Sequence, residues 1–166
     1  MVALNQRDMR KIDQLFLEYS ESHRNVTNKT IHWICVPLIF FSLTGLIASI
    51  PAGIVQRFLG AGNPYANWAT IALLLVIVYY ASLSIPLTIG MTLFGLLCLV
   101  IAKVIAQWGY PLWIVSLTIF VVAWIGQFYG HRVEGKKPSF LKDLQFLLIG
   151  PAWLMHFIYK QAGIPY

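Results

Sequence analysis

Long apolar runs alternate with short polar segments along this chain. After a polar N-terminal stretch, apolar residues continue from Trp33 to Ile50, and they return on both sides of Pro86 and again after Pro111. A helix needs about 20 apolar residues to cross a membrane, so the run from 68 to 102 is too long for one span and divides at Pro86. The pattern predicts an all-α polytopic membrane protein with about four transmembrane helices. The predicted spans are residues 33–50, 67–84, 86–103 and 111–130.

The two ends of the chain have a different pattern. Residues 4–21 place apolar side chains at helical spacing, which predicts an amphipathic helix on the membrane surface. The C-terminal segment 140–160 is apolar but interrupted at Gly150-Pro151, and we interpret it as interfacial or re-entrant helices rather than as a fifth span. We therefore expect one integral-membrane domain with three parts. These are the N-terminal segment 1–32, the spans 33–130 and the C-terminal segment 131–166.

Composition and charge agree with a membrane protein. Hydrophobic residues make up 58% of the chain and charged residues only 11%, against about 25% charged residues in soluble domains. Five of the 12 lysines and arginines precede the first predicted span, five follow the fourth, and two lie elsewhere. The net charge of +6 is thus explained by topology and lipid headgroups, and no nucleic-acid partner is expected. Both termini are predicted to be cytoplasmic, in a bacterial inner membrane or, in a eukaryote, the endoplasmic reticulum.

The four-span topology brings the histidines to one membrane face. His23 and His32 precede the first span, and His131 closes the fourth. His156 joins them if the C-terminal segment stays at the interface. Clustered imidazoles of this kind are typical of a site for iron, zinc or copper. The alternative for any one of these residues is an ordinary amphipathic side chain at the water boundary.

Spacing refines this prediction at the N-terminal side. His23 and His32 are nine residues apart, which is half a turn out of phase on one straight helix. Both can face one site only if the helix breaks between them. Thr27 or Asn28 is the predicted N-cap of the helix that becomes the first span.

The second half of the candidate site surrounds His131. Gln127 lies four residues earlier, on the same helix face. Glu134 offers a carboxylate, with a solvated ion-pair partner as the alternative. Gly130 and Gly135 leave room for close backbone approach.

Two motifs in these segments resemble a known family. They are Tyr19-x-x-x-His23-Arg24-x-x-x-Asn28-x-x-x-His32 and Gln127-x-x-Gly130-His131-x-x-x-Gly135-x-x-Pro138. Together with LIGPAWLMH near the C-terminus, they resemble small membrane proteins typified by the fungal 2-hydroxy-fatty-acid dioxygenase of phytosphingosine breakdown. The resemblance covers nearly the whole chain.

The resemblance implies an Fe(II)-dependent enzyme that uses O2 to shorten a 2-hydroxy fatty acid by one carbon, with the acyl tail between spans in the bilayer. His23, His32 and His131 lie in the matching motifs and are the implied catalytic iron ligands. His156 is a fourth expected ligand outside those motifs, and Glu134 is the alternative ligand, which would give a two-histidine-one-carboxylate set. The expected substrate-binding residues are Arg24, Gln127 and Arg132.

Two other classes of function are weighed against the oxygenase. A haem-binding electron carrier usually pairs histidines within its spans, whereas these lie at span ends. A non-catalytic membrane scaffold would bind no metal. Transport is disfavoured because the predicted spans hold no ionisable group near the bilayer midplane.

Overall fold

A computed structural model describes residues 9–135 and 146–166. Within these ranges the chain forms seven α-helices and no strand, which confirms the all-helical prediction. The helices are α1 (Lys11–Ser20), α2 (Val26–Ala48), α3 (Gly53–Leu59), α4 (Trp68–Ala81), α5 (Ile85–Ala106), α6 (Leu112–Val133) and α7 (Ile149–Gln161).

Three of these helices, α2, α5 and α6, are long and apolar enough to cross a membrane. The second predicted span corresponds to α4, which has 14 residues and a length of about 21 Å. That is shorter than the roughly 30 Å hydrocarbon core of a bilayer. The membrane character of the fold is therefore supported, and the count of four spans stays a prediction.

Polar caps set where the helices begin. Asn25 caps α2 by accepting hydrogen bonds from the backbone N–H groups of Thr27 and Asn28, so the predicted cap at Thr27 or Asn28 was wrong and α2 begins before residue 33. Ser84 caps α5. Pro86 lies in the first turn of α5, where a missing N–H costs nothing, and the predicted division at this proline is confirmed.

Segments outside the long helices also differ from their predictions. Residues 51–66 were predicted to form a loop, but they include the short helix α3. Gly150-Pro151 was predicted to interrupt an apolar segment, whereas both residues lie in the first turn of α7. Residues 1–8, which include the first five residues of the amphipathic helix predicted at 4–21, and residues 136–145 lie outside the described residues. The described part of that helix, α1, is amphipathic, with Ile12, Phe16 and Tyr19 buried.

Small residues bring α2 and α6 close together. A Cβ atom at Gly126 would lie 2.6 Å from Cys35 Sγ, and one at Gly130 would lie 2.5 Å from Asn28 Oδ1. These two glycines have the Gly-x-x-x-Gly spacing that lets membrane helices approach closely. The close packing holds the N-terminal end of α2 beside the C-terminal end of α6.

Helix α7 closes the same end of the bundle. The Trp153 indole donates a hydrogen bond to Ser20 Oγ over 2.9 Å, and the Tyr159 hydroxyl donates to the Pro86 carbonyl over 2.6 Å. Helix α7 thus contacts both α1 and the start of α5. At the opposite end, the Trp68 indole donates to the Pro51 carbonyl over 3.1 Å.

Candidate metal centre

Three of the four histidines meet at the end of the bundle where α1, α2 and α6 converge. The ring centroids of His23 and His32 are 4.2 Å apart, those of His32 and His131 5.1 Å, and those of His23 and His131 5.7 Å. Candidate ligand nitrogens of all three lie within 4.8 Å of one another. All three side chains are buried.

The break between α1 and α2 lets His23 and His32 face one point. Helix α1 ends at Ser20 and α2 begins at Val26, so His23 lies in the connection between the helices and His32 lies in α2, and the predicted break between them is confirmed. The His23 ring stacks on Tyr19 with centroids 4.1 Å apart. The Trp153 ring, from α7, lies 5.5 Å from His23.

Backbone carbonyls orient two of the rings. His23 Nδ1 is 2.6 Å from the Tyr19 carbonyl oxygen, and His32 Nδ1 is 2.9 Å from that of Asn28. Because a carbonyl can only accept, each Nδ1 carries the proton, and each Nε2 keeps the lone pair that a metal requires. Histidine ligands in metal sites usually have such an outer partner, which fixes the tautomer and the ring plane.

Asn28 ties the three histidine-bearing segments together. Its side-chain amide, fully buried, donates to the Ser22 carbonyl over 3.1 Å and to Glu134 Oε2 over 3.0 Å. Its own carbonyl accepts from His32. Ser22 precedes His23 and Glu134 follows His131 by three residues, so one side chain sets the distance between the two halves of the site.

Glu134 anchors the turn between α1 and α2 to the end of α6. Its carboxylate accepts hydrogen bonds of 2.9 Å from the backbone N–H groups of both Arg24 and Asn25, in addition to the one from Asn28. Burial raises the pKa of Glu134, but these hydrogen bonds outweigh burial, and the pKa lies below its usual value. Both carboxylate oxygens are therefore engaged with this turn, and the structure does not bring Glu134 into the histidine cluster.

The glycines beside His131 have two different roles. Gly130 packs directly against Asn28, as predicted for a close approach. Gly135 has φ +74, which favours glycine where the chain leaves α6. The predicted close approach is confirmed for Gly130 and stays a prediction for Gly135, because residues 136–145 lie outside the described residues.

A small cavity of about 30 Å³ extends from the histidine cluster into the bundle. His32, His131 and Gln127 line it, together with Trp124 and Leu147. Gln127 Oε1 is buried and has no hydrogen-bond partner among the described residues. The cavity thus offers a polar acceptor beside the imidazoles, and it has room for one or two water-sized molecules.

The remaining predicted site residues lie outside this cluster. The His156 ring contacts Phe16 and Tyr166, with centroids 5.2 Å and 4.7 Å away, and burial lowers its pKa. The structure does not bring it to the other histidines. Arg24 and Arg132 are exposed at the same end of the protein, and no ion pair within the described residues engages either guanidinium.

The residues present fit a transition metal. Three buried imidazoles, two of them held by backbone carbonyls, form a nitrogen donor set that suits iron, zinc or copper. Three protein ligands would leave coordination positions for other molecules, and His32 and His131 line the adjoining cavity. The donor set alone does not distinguish among these metals.

Sequence reasoning missed the organising role of Asn28, which was considered as a helix cap and as a position in the first motif. A signal was present, because Asn28 stands four residues before His32 just as Tyr19 stands four residues before His23. Each of these residues supplies the carbonyl that orients the following histidine. The repeated spacing of four thus reflects one carbonyl near the end of α1 and one in the first turn of α2, each of which orients one ring.

Fold and site together define a helical, membrane-type protein with a buried three-histidine centre at one end of its bundle. The family model described as 2-hydroxy-palmitic acid dioxygenase Mpo1-like matches residues 9–162. The chain belongs to this family, as its motifs predicted. It is 28% identical over 153 residues to the 2-hydroxy-palmitic acid dioxygenase MPO1 of Saccharomyces cerevisiae, covering 89% of this chain and 79% of the yeast protein. No solved structure matches the chain.

Proposed function

We propose that this protein is an Fe(II)-dependent dioxygenase that shortens 2-hydroxy fatty acids by one carbon. The observation that carries the proposal is the buried cluster of His23, His32 and His131 in a chain of the Mpo1-like family. We propose these three as the catalytic metal ligands. Iron would activate O2 and help to orient the substrate when bound.

The residues around the cluster divide the remaining work. We propose that Gln127 Oε1, which is buried beside the histidines without a partner among the described residues, accepts a hydrogen bond from the substrate's 2-hydroxyl group. Arg24 and Arg132 are the proposed partners of the substrate carboxylate at the exposed rim, since a guanidinium pairs with a carboxylate through two parallel bonds. The apolar surround of Trp124 and Leu147 keeps bulk water from the reacting carbon.

The proposed reaction balances without an external reductant. The bond between the carboxyl carbon and the hydroxyl-bearing carbon breaks, and the hydroxyl-bearing carbon becomes the new carboxyl carbon. One acid and one O2 give the shortened acid, carbon dioxide and water. An oxygen electrode should therefore record one O2 consumed for each shortened acid formed.

The test is metal content and turnover of purified protein in detergent or nanodiscs. Wild type, His131→Ala and His156→Ala are loaded with Fe(II), supplied with 2-hydroxypalmitic acid and O2, and analysed by mass spectrometry for pentadecanoic acid. His156→Ala is the matched control, because it removes an imidazole that the structure places outside the cluster. We expect product and bound iron in wild type and in His156→Ala, and neither in His131→Ala.

Other outcomes separate the alternatives. Bound metal without product would support the proposed metal centre and contradict the proposed substrate. A folded wild-type protein that binds no metal would reject the enzyme and favour a scaffold. A Soret absorption band in the purified protein would favour the haem carrier, although three rings within 5.7 Å of one another leave no space for a macrocycle between them.

A further inference from the structure

A second cavity, almost entirely apolar, lies between α2, α4 and α5. Its volume is about 100 Å³. Its lining includes Phe40, Thr44 and Ile47 from α2, Ala72 and Leu73 from α4, and Gly95 from α5. We propose that this cavity holds the acyl tail of the substrate and selects long-chain over short-chain 2-hydroxy acids, an inference that rests on the function proposed above.

The second cavity is adjacent to the one at the candidate metal centre. Leu147 lines both. Along α2, His32 and Ile39 face the first cavity, and Phe40 and Ile47 face the second. A tail that passed the Leu147 side chain would follow α2 away from the histidines, from the first cavity into the second. A carboxylate at the rim and a tail beyond Leu147 would place the 2-hydroxyl carbon beside the cluster.

A long acyl chain is needed to reach the second cavity. From His32 to Phe40, the first residue of α2 at that cavity, is eight residues, or about 12 Å along the helix at 1.5 Å per residue. One lipid tail reaches about 15 Å, half of the roughly 30 Å hydrocarbon core of a bilayer, so the end of a long tail can enter the second cavity. A short tail ends near Leu147 and leaves that cavity empty.

Space, rather than hydrophobicity, decides which tail fits. A tail outside the cavity would lie among lipid tails, which are as apolar as the cavity wall. Moving the tail from the lipid into the cavity therefore contributes little to the binding free energy. Packing contacts inside the cavity remain the discriminating interaction. Leu73 limits that space, because its side chain lies directly on Gly95, where a Cβ atom would collide with it.

The first test narrows the cavity. Ala72→Phe adds a ring to the cavity wall, and Ala81→Phe adds the same ring to an exposed position at the end of the same helix. We expect Ala72→Phe to lower the ratio of kcat/KM for 2-hydroxypalmitic acid to that for 2-hydroxyoctanoic acid by about tenfold or more, and Ala81→Phe to leave the ratio unchanged. An unchanged ratio in folded Ala72→Phe overturns the inference. If that variant does not fold, Leu73→Ala replaces it, with the opposite expectation of a ratio shifted toward longer acids.

The second test reads binding without turnover. A 2-hydroxypalmitic acid with a photoreactive group at the end of its tail is crosslinked in nanodiscs, and the labelled peptides are identified. We expect label on α2 and α4 at residues that line the second cavity, such as Phe40 and Leu73, and its loss in Ala72→Phe but not in Ala81→Phe. Label confined to exposed faces, such as that of Leu75, overturns the inference even if wild type is active. Label in the cavity of a wild type that turns over no acid supports tail binding and rejects the proposed reaction.

Discussion

Replacing Glu134 with glutamine tests whether this carboxylate positions the metal centre without binding the metal. The side chain accepts three hydrogen bonds of 2.9–3.0 Å, two from backbone N–H groups of Arg24 and Asn25 and one from Asn28. Glutamine keeps one accepting oxygen and removes the charge. Its amide nitrogen is a donor and would face another N–H donor, with which it cannot form a hydrogen bond. The turn that carries His23 is then held less firmly against the helix that carries His131.

The size of the effect follows from the type of bond. Hydrogen bonds to a charged group contribute about 1.5–3 kcal/mol each, and the two on exposed backbone groups contribute less because water competes for them. A loss of roughly 2 kcal/mol in holding the site corresponds to a 10- to 100-fold loss of metal affinity, the range usual for residues that orient metal ligands. The matched control is Glu21→Gln, which removes the same charge from an exposed position near the same turn.

The assay is competition with a chelator, combined with the absorption spectrum of the Co(II)-loaded protein. We expect Glu134→Gln to bind metal 10- to 100-fold more weakly, with an unchanged Co(II) spectrum when saturated. A changed spectrum at saturation would instead identify Glu134 as a ligand. An affinity equal to that of Glu21→Gln would refute the reasoning, since the carboxylate would then contribute nothing to the geometry of the site.

Three further changes test the surroundings of the site. Gly130→Ala should lower the melting temperature and the metal affinity together, because the new Cβ would lie 2.5 Å from Asn28 Oδ1. Gly62→Ala is its control, because a Cβ there has nothing within 4 Å among the described residues. Equal melting temperatures of the two variants would contradict the close packing of α2 on α6. Tyr80→Phe removes the hydroxyl that donates to the Leu148 carbonyl and should cost about 1 kcal/mol of stability in thermal or denaturant unfolding, with metal affinity unchanged. His156→Ala should keep the metal affinity of wild type, because the His156 ring lies against Phe16 and Tyr166. A tenfold weaker affinity would instead indicate that His156 is a fourth metal ligand.

The convergence of His23, His32 and His131 could be predicted from the sequence for a topological reason. Helices joined by short connections alternate in direction, so an even number of them returns the chain to the end from which it started. The structure retains this alternation even though α4 is shorter than a full span. The prediction therefore depended on the number of apolar runs and not on the length of each one.

Contacts between distant segments could not be predicted in the same way. Asn25, Thr27 and Asn28 are all good N-caps within four residues of one another, and only their tertiary partners decide among them. Asn28 is buried against Gly130 and Glu134, more than 100 residues away, which leaves Asn25 to cap the helix. The role of Glu134 was missed for the same reason. Its sequence neighbours give no sign that its carboxylate contacts the turn between α1 and α2.

The position of the proposed metal centre follows from the opposing needs of the histidine cluster and of the acyl tail. Glu134 accepts from backbone N–H groups that no helix uses, and Asn28 donates to the Ser22 carbonyl in the connection between α1 and α2; such groups are found where helices begin and end. An acyl tail requires apolar helix walls, and these are found only in the middle of the bundle. A site placed where α2 begins satisfies both, because the same helix presents His32 at its capped end and Ile47 some 22 Å further along. Moving the histidines inward by even two turns would bury their outer partners in hydrocarbon, where an unsatisfied polar group costs several kcal/mol, and would shorten the apolar path by about 11 Å.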